Sequence, residues 1–443
     1  RPTNRPTPYP TTRYPTRRPT PRPVTSRPTN RPTQKPITDR PTNNAPLAPT
    51  PVIVDRSCEY RKSQTVFVSA SPNFVNQQMF GGGSDFDGDT AIVVNYDSGM
   101  SYLGAGAVWI LERKNGIWAQ ADAFQSLDQE QFGWGIVVKG DSIVVGAPGY
   151  DGMMNIDANL NMYWFGRGRA MVGRRDDSGS WYQEAILSPN DLEWNAGFGN
   201  VLDIADCECL IAVGAWNDRD RRGSVYVYSK SNSGSWDQVQ KLAPGFTRQS
   251  QDALFGNYGY TVVFSGDGNV LAVKSPYDYA NGLRGAVYVY RQGIFGTYEE
   301  IEILSTPEGR QAETHNSDVT FIDNHLLVGA PGLGKVYVFR ETNSGKYQKT
   351  AELTASDVGS SSQFGISLDG EGSNVMVGAQ EGESSYLFSY DGNVWIERAK
   401  FNGVIAALSG SSIVAHNPPD FAMDSWLSSY GGEVNFYNLV CER

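Results

Sequence analysis

The chain has 443 residues, of which 40% are hydrophobic and 19% charged, with four cysteines and a formal net charge of −11. An acidic balance argues against nucleic acid or an anionic membrane as the partner, because both recruit basic patches. No apolar run approaches the roughly 18 residues that cross a bilayer, so no membrane span is expected.

The first predicted element is an extended Pro/Thr-rich tail over residues 1–54, with a four-residue beat: RPTN, RPTP, YPTT, and later RPTN, RPTQ, KPIT, DRPT. It carries ten basic residues against one acid, Asp39, a net +9 that leaves −20 for the remainder. A segment this polar cannot bury enough surface to offset the entropy of ordering itself. Alone it is a solvated linker; held in place, it needs a partner surface, a coat of sugars, or both. Its charge complements the acidic body of its own or a neighbouring copy. No Asn-x-Ser/Thr sequon with a permitted middle residue occurs, so any glycan is expected to be O-linked, on Thr3, Thr7, Thr16, Thr20, Thr29, Thr33 and Thr42. The chain opens on Arg1 without an initiator Met or an apolar leader and reads as a processed product or a fragment.

Residues 55–443 read as one all-β domain: Gly, Tyr, Trp, Ser and Val are common, and long stretches of 3.6-residue apolar period are missing. The length would be large for a sandwich and natural for a repeat-built ring. The repeat is visible. Phe80-Gly81 precedes AIVV (91–94) and GAVWIL (106–111). Phe132-Gly133 precedes SIVVGAP (142–148), and Phe198-Gly199 precedes LIAVGAW (210–216) and GSVYVY (223–228). Phe255-Gly256 leads VLAVKSP (270–276) and GAVYVY (285–290), while LLVGAP (326–331) leads GKVYVF (334–339). Phe364-Gly365 leads NVMVGAQ (374–380), and a worn last copy holds SIVAHNP (412–418) and GEVNFY (432–437). Each unit offers four short β-prone runs, hence a four-stranded antiparallel sheet. IVVGA-type runs imply burial on both faces, and alternating VYVY implies a strand nearer the rim. One such sheet cannot cover its own faces, so the units stack around an axis.

These residues resemble the FG-GAP repeats of integrin-α-like β-propellers, and more closely the calcium-free variety found in secreted bacterial and algal proteins. The resemblance implies seven blades and an extracellular interaction role. Two units, around His315-Asn316 and after Phe401, lack a clean Phe-Gly pair.

The last unit ends soon after Tyr437 with no fourth strand, and residues 64–70 (QTVFVSA) supply one from the other end. Ring closure by both termini removes open sheet edges. Repeat matching places Cys58 and Cys441 together in the turn where the chain is cut, which predicts a disulfide there. Cys207 and Cys209 share another turn, where paired and free readings both stand.

Chemistry is sparse. His315, His325 and His416 occupy scattered repeat positions, and neither a G-x-S-x-G elbow nor a P-loop occurs. The metal candidate is Asp85, Asp87 and Asp89, alternate carboxylates beside Gly88. The later acidic ligand of an EF-type loop is missing and a hairpin turn explains the run equally well, so no metal is expected and calcium is not expected as a cofactor. Aromatics in NMYWF (161–165) and at Tyr277 and Tyr279 could stack on sugar rings or on a proline-rich strand.

The expectation is therefore a secreted, extracellular or cell-surface structural glycoprotein, not an enzyme, with covalent glycans and no cofactor. Its partner is itself, by tail-to-propeller contacts in a homopolymer filament or coat; the tail resembles hydroxyproline-rich algal glycoproteins and glycan-coated fibrils. The alternative is a monomeric carbohydrate- or protein-binding adhesin on a glycosylated stalk.

Overall fold

The computed structural model describes residues 58–66, 80–96, 106–126, 131–151, 155–156, 162–163, 166–244, 256–278, 285–305, 318–357, 359, 362–380, 384–402, 405–409, 412–416 and 434–441. The chain divides into two units, Arg1–Asp55 and Arg56–Arg443. The tail and its threonines lie outside the described residues.

Seven four-stranded antiparallel sheets form the second unit. Blade 1 runs Phe80–Asp87, Thr90–Tyr96, Gly106–Lys114 and Ile117–Gln125; blade 3 runs Val201–Ile204, Leu210–Ala215, Ser224–Lys230 and Trp236–Leu242. Blades 2, 4, 5 and 6 repeat the pattern from first strands Ile136–Lys139, Thr261–Phe264, Val319–Ile322 and Leu368–Glu371. Blade 7 joins Ile405–Ser409, Ser412–His416 and Val434–Cys441 to Cys58–Val66 from the other end of the chain. Each first strand touches the first strands of both neighbouring blades, and the circuit closes where Ile405–Ser409 meets Phe80–Asp87. This is a seven-bladed propeller. The second strands are the driest element: every residue of Ser142–Ala147, Leu210–Ala215 and His325–Ala330 is buried. Continuous apolar runs there follow from burial on both faces.

Glycines in the GAP runs are explained by contact across blades. A Cβ on Gly146 would lie 1.8 Å from the carbonyl oxygen of Gly199, and one on Gly214 would lie 2.3 Å from that of Gly259. The facing glycines Gly199 and Gly259 have φ of +93° and +85°, which only glycine adopts cheaply. The Phe-Gly motif of one blade thus abuts the GAP motif of the blade before it. In blade 4 the pair in this role is Tyr258-Gly259, not the Phe255-Gly256 picked from the sequence. Tyr258 is fully buried and stands edge-on to Tyr288 at 5.2 Å, as Phe198 does to Tyr226 at 5.4 Å. Gly256 sits upstream, where its carbonyl accepts a bond from Ser275 Oγ.

The closing strand also differs from the sequence reading. It spans Cys58–Val66 rather than 64–70, and Val66 faces Val434 as Leu242 faces Val225. A slip of two residues keeps every side chain on its original face, so alternation alone could not detect it. Two features fix the register. The pairing of third and fourth strands carries a bulge at the same repeat position in all seven blades, between Val227 and Tyr228 in blade 3 and between Lys62 and Gln64 in blade 7. Gln64 then accepts from the Trp118 N–H at 2.9 Å and donates to its carbonyl at 2.8 Å. Gln240 does the same to Tyr298, at 2.6 and 2.9 Å.

Candidate functional site

First strands are sheet edges, and their outward N–H groups need acceptors. Aspartates supply several of them from the neighbouring blade. Asp85 accepts from Val138 N at 2.8 Å, Asp203 from Phe264 N at 2.6 Å, Asp318 from Leu368 N at 3.2 Å and Asp369 from Leu408 N at 2.5 Å. Asp85, Asp203 and Asp369 occupy one repeat position, facing Ile92, Ala212 and Met376 on their second strands. They belong to blades 1, 3 and 6, so the electrostatic influence of Asp369 and Asp203 on Asp85 acts across the axis.

Each keeps some accessible surface, yet is hemmed in closely enough for burial to dominate its acidity. Burial pushes Asp203 up to about 7 against the bonds from Phe264 and Ile204. Asp85 and Asp369 are raised as well, by burial first and then by neighbouring carboxylates. Lys139 enters the same end of the axis, 2.9 Å from Asp206 and 3.9 Å from Asp87. Burial pulls its pKa down, but the bond to Asp206 and the fields of Asp87, Asp206 and Asp85 outweigh this and hold it above the ordinary lysine range. The arrangement can take up or release protons near neutrality, the property that marks candidate sites. Repetition carried the signal: SDFDG, NVLDIAD and SLDGEG each place an Asp just before the first hairpin.

The metal candidate does not assemble as a loop. Asp85 and Asp87 accept from blade 2, Asp87 from Gly140 N at 2.8 Å, whereas Asp89 pairs with Arg113 at 2.6 Å. Among the described residues no three of His, Cys, Asp or Glu are placed to hold a metal ion. Cys58 and Cys441 are register partners on the backbone of blade 7. Cys207 and Cys209 form a disulfide. It brackets Glu208, whose φ is +50° and whose carboxylate reaches blade 2 at Ser142 Oγ (2.7 Å) and Arg174 (3.2 Å). His325 is buried against Tyr390 and Trp395. The side chain of His416, and all of His315, lie outside the described residues.

Strand direction sorts the connections onto two faces. Turns from first to second and from third to fourth strands are two to five residues long and share one face. The other face takes the turns from second to third strands and from each fourth strand to the next blade, and among the described residues these include the longer connections 188–200 and 216–223. Insertions gathered on one face of a repeat ring are its usual binding surface. Among the described residues there, Trp134 and Trp194 are 45% and 52% exposed. The Arg167 guanidinium lies 4.8 Å over Trp194 and 3.9 Å from Asp151. In NMYWF only Met162–Tyr163 is described, as a short strand.

The match to known families falls on this framework. The FG-GAP repeat profile covers residues 181–228, from the last strand of blade 2 through the third strand of blade 3. This stretch is an FG-GAP repeat. No curated protein matches the sequence. Among solved structures the ring is similar to a periplasmic gluconolactonase of Pseudomonas aeruginosa, with TM-score 0.50 and 16% identity over 74% of this chain and 88% of that one. A putative 6-phosphogluconolactonase of Bacteroides uniformis gives 0.49 and 9% over 76% and 88%. One of Bacteroides fragilis gives 0.46 and 12% over 71% and 82%. At such identities the likeness is one of fold. It corrects the expectation that the chain is not an enzyme to this extent: a propeller named a gluconolactonase shares the architecture, so the fold does not exclude catalysis. That expectation rested on missing local motifs, whereas the axial carboxylates are gathered from distant repeats and leave no local motif.

Proposed function

We propose that the protein is a structural extracellular glycoprotein whose tail and propeller assemble into a filament or surface coat. The supporting observation is the division of charge: +9 on residues 1–54 and −20 on the remainder, split close to the boundary between the two units. In polyproline II form the tail would span on the order of 165 Å at about 3.1 Å per residue, enough to leave its own ring and cross another. Proline restricts the free tail and so lowers the entropy lost on docking. A head-to-tail contact of this type propagates without closing. Threonine-linked glycans would coat the tail segments left between contacts.

Negative-stain imaging of the full chain before and after removal of residues 1–54 tests this. Filaments that vanish with the tail are expected; single rings from the full chain, or unchanged fibres without the tail, would sink the reading. A second reading, an adhesin on a glycosylated stalk, is favoured by Trp194 beside Arg167 on the face of long connections. Glycan-array binding abolished by Trp194→Ala would support it. Sugar-lactone hydrolysis is assayed on the same material, since the ring architecture assigns no chemistry by itself.

A further inference from the structure

Hairpin tips joining third to fourth strands offer a controlled comparison. In blades 2 to 5 the same turn recurs with the same pair of backbone bonds. Asp176 N bonds Ser180 O and Gly179 N bonds Asp176 O; Ser231, Ser235 and Gly234 repeat this in blade 3, and Thr342, Lys346 and Gly345 in blade 5. Blade 4 repeats it through Gly293, Thr297 and Gly296. Three of these tips are polar and close on themselves through side chains, such as Ser178 to Asp176, Ser231 to Ser233 and Thr342 to Ser344. Blade 4 instead places Ile294 and Phe295 at the tip, 93% and 89% exposed. Its turn bonds are made by the backbone, so neither side chain is needed for the fold. Two adjacent bare apolar groups where sibling turns are polar mark an interaction surface.

We propose that this tip is the docking point for the basic Pro/Thr tail, residues 1–54, of a second copy, an inference that rests on the assembly reading above. The strand leaving the tip, Tyr298–Leu304, exposes Glu299 and Glu300 and contains no basic residue. The nearby cations are engaged: Arg291 pairs with Glu341 at 2.7 Å, and Lys346 bonds the carbonyl of Ile301. An extended segment with recurring Arg-Pro pairs meets both halves of this surface, its proline rings on Phe295 and Ile294 and its guanidinium groups toward the glutamates.

The test uses the full chain with Phe295→p-benzoylphenylalanine, isotopically heavy and light copies mixed and irradiated after assembly. Heavy-to-light crosslinks from position 295 to residues 1–54 are expected. Crosslinks to another propeller, crosslinks within one chain only, or none would overturn the docking point. In parallel, Ile294→Ser with Phe295→Asn is expected to raise the critical concentration for assembly at least about tenfold, with the thermal midpoint unchanged. If the unaltered chain forms filaments and the double variant matches it, the docking point fails alone. If the unaltered chain stays as single rings, the assembly reading fails and takes the docking point with it.

Discussion

Blade 3 is one continuous stretch of chain, and blade 7 is assembled from both ends, yet the two sheets reach the same register. Both carry the bulge between third and fourth strands. Both use a glutamine, Gln240 or Gln64, to hold the backbone of the next blade's fourth strand. Trp118 adds a stacked contact with Phe436 at 4.4 Å across the junction from blade 1 to blade 7. Blade identity is therefore set by side-chain and edge interactions between neighbours, and a covalent turn is dispensable when its two strands are delivered separately. The blades differ at the axis: the repeat position that holds Asp203 in blade 3 holds Ala407 in blade 7.

The comparison breaks most severely if the separately delivered strand is removed. Deletion of residues 1–66 leaves Val434–Cys441 as an open edge and exposes Phe436 and Trp118, so aggregation during purification is expected. A soluble truncation with unchanged thermal midpoint, by light scattering and calorimetry, would show that blade 7 closes without its fourth strand. Next is the turn itself. A bridge from Cys58 to Cys441, which the register pairing brings opposite each other, would replace the missing hairpin. The loop-entropy relation puts its contribution at about 6 kcal/mol. Non-reducing peptide mapping should recover the two as one linked species; free thiols in native protein would remove the idea.

Gln64→Ala and Gln240→Ala sharpen the equivalence. Each removes a pair of bonds to a neighbouring backbone, worth about 1 to 3 kcal/mol, and the two losses should agree in oxidised protein by urea denaturation. Under reducing conditions the Gln64 variant should lose more, because its strand then has no tether. Equal losses in both conditions would mean that blade 7 needs no covalent closure at all.

How far the sequence reached is clear from these elements. The seven units, their strand content and closure from both ends follow from FG, GAP and VYVY spacing, because those motifs record contacts that only glycine or a buried ring can make. The register of the closing strand did not follow, since a slip of two residues preserves alternation. Tyr258-Gly259 was hidden by Phe255-Gly256 three residues upstream, a better match to the motif in the wrong place. Lys274 stands where blades 2, 3, 5 and 6 have the glycine of GAP, and the unit after it lacks a clean Phe-Gly pair. It is 1% exposed beside the Tyr260 ring at 5.5 Å, its pKa pulled down to about 7 by burial and opposed by Asp318. The axial carboxylates were readable as a repeated Asp but not as a cluster, because nothing local shows which blades face one another.

The smallest effect expected separates the blades at the axis and carries a definite sign. Burial raises the pKa of folded Asp203 to about 7, while in the unfolded chain an aspartate titrates near about 3.9. Between those values the folded state holds a proton that the unfolded state has lost. Stability from this group is therefore fully present below the unfolded value and falls as pH rises toward 7. Asp85, Asp369 and Asp318, all raised chiefly by burial, push in the same direction. Lys274, with its folded pKa near 7 and an ordinary value of 10.5, adds the opposite slope only above that pH. Asp203→Asn keeps an acceptor for the Phe264 N–H and removes the charge. It should gain about 2 kcal/mol at pH 7, a figure discounted for the surface Asp203 retains, and gain little at pH 4. Urea midpoints measured from pH 4 to 7 decide the matter. Ala407→Asp is the reciprocal variant and should steepen the fall by adding a carboxylate to the ring. If Asp203→Asn is neutral at pH 7 and costly at pH 4, the carboxylate is needed as a hydrogen-bond acceptor rather than penalised as a buried charge, and blades 3 and 7 differ at the axis for a reason other than acidity.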